Sequence, residues 1–116
     1  MREGVGFGRS PKAAAKNGPL CQAIEARQCV SANHGNLLLI IAPHAVFRDA
    51  DGWHVAGAVV EENGAAIEPP RWAVLQVADL SYIMPTDRRF DAHADYDAGD
   101  ARFVRDCACK LSASAR

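Results

Sequence analysis

Before Pro19 the chain shows no apolar periodicity, and residues 1–18, rich in Gly, Lys, Arg and Ala, read as a flexible basic arm. Asn17 and Gly18 can cap a helix that starts at Pro19, a residue suited to the first helical position, and Leu20, Ala23, Ile24 and Arg27 fall on one face. This predicts a helix of about nine or ten residues, too short to stand alone, that must dock its Leu20/Ile24 stripe. From Cys29 the pattern changes to strands. Gln28 to Asn33 is a weak candidate closed by His34-Gly35-Asn36, and Leu37 to Ile41 is a continuous apolar run, as in a strand covered on both faces. Pro43 interrupts that run and His44 to Arg48 resumes it. Asp49-Ala50-Asp51-Gly52 is a strong turn signal. Pairing Arg48 with Trp53 across it would set Phe47 opposite His54.

Trp53 to Val60 alternates, with Trp53, Val55, Gly57 and Val59 on one face. Glu62-Asn63-Gly64 marks a further turn, followed by a loop ending in Pro69-Pro70. Arg71 to Val77 is the next strand, Asp79-Leu80 a one-turn break, and Ser81 to Met84 one more short strand. Asp87 to Gly99 is acidic and poor in large apolar residues, so it reads as a solvated connection. Asp100 to Leu111 places Phe103, Val104, Cys107 and Leu111 at helical spacing, which predicts a terminal helix. Five or six short strands after one helix predict a mainly β fold with flanking helices, built as a small barrel or a strongly bent sheet.

Composition adds bounds rather than function. The chain has 116 residues, 49% hydrophobic and 23% charged, which is ordinary for one globular domain and excludes wholly disordered or collagen-like chains. Thirteen Lys plus Arg against fourteen Asp plus Glu leave a net charge of −1, so no global field draws it onto nucleic acid or an anionic membrane. The longest apolar run, Leu37 to Ala42, is far short of the ~20 residues that span a bilayer, and the N-terminus has no signal-peptide core. A cytoplasmic protein is therefore expected, with Cys21, Cys29, Cys107 and Cys109 as reduced thiols.

A family resemblance rests on an ordered set of pieces between Ala23 and Phe90. They are Ala23-Ile24-Glu25-Ala26-Arg27, Ala42-Pro43-His44-Ala45-Val46-Phe47, Asp51-Gly52-Trp53-His54-Val55-Ala56-Gly57, and Trp72 through Leu80, with Thr86 and Phe90. In order and spacing they resemble a WYL domain. The resemblance implies a five-stranded SH3/Sm-like barrel preceded by a short helix, so that 1–18 is the arm, 19–90 the barrel, and 91–116 an acidic connection and C-terminal helix. It also implies a non-enzymatic ligand-sensing module in bacterial transcriptional regulation. Its expected partners are single-stranded nucleic acid or a nucleotide, a DNA-binding partner protein and further copies in a homo-oligomer, with no membrane and no cofactor. Within that resemblance the family's tyrosine is replaced by His54, and its arginine-bearing run is met by Leu75-Gln76-Val77-Ala78-Asp79-Leu80, without the arginines. No winged helix fits before Pro19. The alternative is a structural or oligomerisation module that has lost the family's ligand site and uses a strand edge.

The candidate ligand-binding residues are His54, Gln76, Arg71, His44 and Arg48. His54 would donate a hydrogen bond or stack on a base, against the plainer reading of a packed strand residue. Arg71, one place before Trp72, would partly replace a missing arginine, against that of a solvated strand-end arginine. Cys107-Ala108-Cys109 with Cys21 and Cys29 lacks the C-x₂₋₄-C pairing of structural zinc sites. Asp95 to Asp100 mimics a calcium loop but puts Asp100 where glycine is required, so it reads as a solvated acidic loop. No triad, paired carboxylates or metal spacing points to an enzyme.

Overall fold

The computed structural model describes residues 14–112, so most of the arm expected over residues 1–18 lies outside the described residues. Helix α1 (Asn17–Ala26) is the predicted one and buries Leu20, Ala23 and Ile24. Asn17 and Gly18 sit inside its first turn rather than capping it. Pro19 is tolerated there because the first N–H groups of a helix have no acceptor within it. Arg27 ends the helix instead of extending its face. With a left-handed backbone (φ 55°), it returns its N–H to the Ala23 and Ile24 carbonyls.

Strands β1 (Gln28–His34), β2 (Leu37–Asp49), β3 (Gly52–Glu62) and β4 (Ala65–Gln76) follow as consecutive antiparallel hairpins. Asn63 and Gly64 turn the last hairpin with φ of 51° and 86°, the left-handed pair that a two-residue Asn-Gly turn favours. The predicted β2–β3 register is found: Arg48 pairs with Trp53 and Phe47 with His54. Pro43 does not separate two strands. Pro43 pairs with Gly57 and Ala45 with Ala56, so His44 is the extra residue of a bulge and the strand continues. At this point β2 and β3 are pressed together, and a Cβ on Gly57 would run into the Ala42 carbonyl oxygen. The loop expected before Pro69-Pro70 is likewise held within a strand. Val59 pairs with Arg71 and Glu61 with Ala66, leaving 67–70 to bulge outward.

A 3₁₀ turn (Val77–Asp79) leads into β5 (Leu80–Arg89), which returns to pair with β1. The terminal helix expected over Asp100 to Leu111 is corrected: only α2 (Ala101–Arg105) is helical, and Cys107–Lys110 forms β6 against the second half of β2. Asp100 caps α2 by accepting the Arg102 N–H at 2.9 Å.

The sheet runs β4-β3-β2-β1-β5, with β6 beside β2 beyond the end of β1. Strands β4 and β5 end that path and do not meet, and β6 pairs with β2 alone among the described strands. A mainly β fold with flanking helices is therefore present, but the five-stranded SH3/Sm-like barrel is not. The physical reason lies in what covers each face. On one, Leu20 and Ile24 of α1 pack with Val30, Leu39, Ile41, Val46, Val55 and Val59. On the other, Phe103 packs with Ala45, Phe47 and Ala56, while Tyr96 joins that cluster and Phe90 a neighbouring one. The chain after β5 thus meets the hydrophobic demand that curling into a barrel would otherwise meet. It also explains why β2 is buried without a break from Ile41 to Phe47, whereas the run Leu37 to Ile41, expected to be covered on both faces, leaves Leu38 44% exposed.

Of the four thiols expected to be free, two are not. Cys21 of α1 and Cys109 of β6 form a disulfide, while Cys29 and Cys107 remain free. The two positions are 88 residues apart in sequence, and α1 packing on β6 brings their Cα atoms to 5.7 Å. No helix among the described residues is long and apolar enough to cross a membrane.

Candidate functional site

The five candidate residues do not form one site. Three of them collect around the β2–β3 turn, where strand pairing places them. His54 Nε2 lies 2.8 Å from Asp49 Oδ1, and its ring stacks on Phe47 at 5.3 Å. The same Asp49 oxygen accepts the Asp51 N–H at 2.8 Å and so shapes the turn. Hydrogen bonding to His54, and then to Asp51, holds the Asp49 carboxyl below its ordinary value. Gln76 is the β4 partner of His54, and its amide reaches the Asp51 carbonyl at 3.5 Å. Arg48 points to the other side of the turn, where it pairs with Asp106.

Arg71 is elsewhere. It lies five positions along β4 from Gln76, about 17 Å away at strand rise and on the opposite face, and approaches Glu62 at 4.0 Å. His44 is fully buried. Its ring is enclosed by Trp72, Phe90 and Tyr96, with centroids at 5.0–5.2 Å. Nδ1–H donates to the Ala42 carbonyl at 2.8 Å, and Nε2 accepts the His93 backbone N–H at 2.9 Å. Burial pushes its pKa down to about 4, so both nitrogens serve as the neutral ring requires. His93 is committed in the same way: Nε2–H donates to the Pro70 carbonyl at 3.1 Å, and Nδ1 accepts the Asp95 N–H at 3.0 Å. Tyr96, whose pKa burial raises to about 12, donates to the Leu111 carbonyl at 2.7 Å. This aromatic nest pins the chain after β5 onto β2 and β4.

Two features were not located by the sequence, which foresaw a strand edge without saying which. The first is a cleft of about 470 Å³ between the end of β2 and α2, lined by Phe47, Arg48, Asp49, Ala50, Ala101, Arg102, Arg105 and Asp106. The repeated Asp/Arg spacing from Asp100 to Asp106 was its available signal. The second is the outer edge of β4. From Arg71 to Gln76 it keeps unbroken register with β3, and among the described residues no strand pairs with its far side. Val74 is 39% exposed there.

Compared with family models, curated proteins and solved structures, the chain matches none. The WYL resemblance is therefore withdrawn on two grounds, the absence of a family match and the open sheet. The ligand-sensing and transcriptional role it implied goes with it.

Proposed function

We propose that this chain is a non-catalytic interaction module whose β4 edge pairs antiparallel with the β4 edge of a second copy. The observation that carries this reading is the regular, uncharged stretch Trp72–Gln76 on an outer strand. An unpaired row of backbone N–H and C=O groups beside apolar side chains is a template for strand addition. A two-fold axis perpendicular to the sheet sets each residue opposite one of the same face. Centred on Ala73, it sets Trp72 against Val74 of the second copy, twice. Aromatic and β-branched neighbours across strands contribute roughly 0.2–1 kcal/mol per pair.

A non-catalytic role draws support from how the ionisable groups are used. All four ring nitrogens of His44 and His93 are bound to backbone groups. His54 is packed on Phe47 and tied to the turn carboxylate. One short strand pair buries little area, so association belongs to the weak class.

Sedimentation equilibrium over a concentration series tests the reading. The mass is expected to rise from 12.4 kDa toward the dimer, and Val74→Lys is expected to hold it at the monomer. A wild-type mass that stays monomeric at about millimolar protein would remove the proposal.

A further inference from the structure

The cleft beside α2 is separate from the β4 edge and does not depend on that reading. Its walls carry three guanidinium groups, from Arg48, Arg102 and Arg105. Two are fixed in place. Arg48 sets Nε and an Nη on Asp106 Oδ2 at 3.0 Å, and its guanidinium lies over the Trp53 ring at 5.2 Å. Arg102 grips both oxygens of Asp100 at 3.0–3.1 Å and lies over Phe47 and Phe103 at 5.8 and 5.4 Å. A guanidinium carries five N–H donors, so each of these keeps several for another acceptor. Arg105 is exposed, with no ion-pair partner among the described residues.

Asp106 and Asp100 balance the charges of Arg48 and Arg102, so the cleft offers an oxyanion free N–H donors and Arg105, unpaired among the described residues, rather than a strong net positive charge. Asp106 is spent on Arg48, and Asp49 Oδ1 is engaged by His54 and the Asp51 N–H. Phe47 lies beneath the cleft at 1% exposure with Arg102 over its ring, so the apolar surface on offer is that of Ala50 and Ala101. Guanidiniums oriented by a carboxylate and retaining free donors match the planar or tetrahedral oxygens of carboxylates and phosphates. The volume falls in the range of small-molecule sites.

We infer that this cleft binds a small organic oxyanion, a phosphate monoester or a carboxylate on a compact apolar body, with Arg105 as the closing contact. Phenyl phosphate, benzoate and inorganic phosphate are the probes. They would be titrated into ¹⁵N-labelled full-length protein while the arginine Nε–H and backbone amide signals are followed.

Phenyl phosphate or benzoate is expected to shift Arg48, Arg102, Arg105, Ala50 and Ala101, and the tighter of the two identifies the oxyanion. Inorganic phosphate should bind more weakly, for want of the apolar body. Arg105→Ala should weaken binding about fivefold and Arg105→Lys less, with the unbound spectrum otherwise retained. Shifts spread equally over Arg71, Arg88 and Arg89 would reduce the effect to general surface charge and overturn the inference. So would an unchanged spectrum at about 10 mM probe, or an affinity indifferent to Arg105→Ala.

Discussion

The two outer strands of this sheet are built differently. Strand β5 is defended against a partner: its register with β1 shifts twice, Tyr82 sits at φ 54°, and Pro85 withholds an N–H. Its last three residues, Asp87, Arg88 and Arg89, are charged. Natural sheets use these devices to prevent edge pairing. Strand β4 confines its prolines, Pro69 and Pro70, to the bulge at its middle and leaves 71–76 regular. Exposed apolar side chains alone would point to the other edge from the one proposed. Tyr82 and Met84 on β5 are 80% and 58% exposed, well above Val74. Backbone regularity decides which edge can pair.

The two edges also rest on different supports, and this allows them to be separated. The disulfide ties α1 to β6, and α1 packs beside β1 and β5. Lys16 at its start donates to the Leu80 carbonyl of β5 at 2.6 Å. A crosslink closing 88 residues is worth about 4–5 kcal/mol in the chain-entropy account. Cys21→Ser with Cys109→Ser should therefore lower Tm substantially. Hydrogen exchange should speed up in β5 more than in β4. Equal acceleration in both would make the two supports one.

The β4 side is backed by the His44 nest, through Trp72. The folded pKa of His44 is depressed from 6.5 to about 4, so the unfolded chain takes up the proton first as pH falls. Stability should be fully present above pH 6.5 and decline toward pH 4, by about 3 kcal/mol in all. Denaturant midpoints across that window test the sign, and His44→Gln should flatten the slope. A slope that survives the substitution would assign it to other groups.

Smaller effects address the edges directly. Val74→Lys should weaken self-association at least about tenfold with little change in Tm, because the residue is 39% exposed. Met84→Lys should leave association unaltered. The reverse change sharpens the contrast: Pro85→Val restores an N–H to β5 and should add a slight, concentration-dependent second association. If Pro85→Val has no effect, the two bulges alone protect that edge.

Much of this architecture was legible in the chain. Alternation and turn residues located α1, the hairpins and even the Arg48–Trp53 register, because Asp49-Ala50-Asp51-Gly52 fixes where β2 turns back. Closure of the sheet was not legible. A period of two states which face a residue takes, and it is silent on whether the first and last edges meet. The fate of Cys107-Ala108-Cys109-Lys110 was hidden for a related reason. Four residues are too few to show alternation, and Phe103, Val104, Cys107 and Leu111 happen to fall at helical intervals. The disulfide depends on α1 docking on β6, which cysteine spacing does not encode. Of the candidate site, Arg48, His54 and Gln76 were brought together by local register. Arg71 and His44 were not, because strand rise separates the first and a bulge turns the second into the core. The cleft arginines stayed unseen because α2 reaches β2 only through tertiary packing.

The central claim concerns which edge pairs and in what register, and site-directed crosslinking tests both at once. On the proposed two-fold, Ala73 faces its own copy, so Ala73→Cys should give a disulfide-linked dimer under mild oxidation. Ser81→Cys on β5 should remain monomeric under the same conditions. A dimer through Ser81→Cys with none through Ala73→Cys would contradict the account.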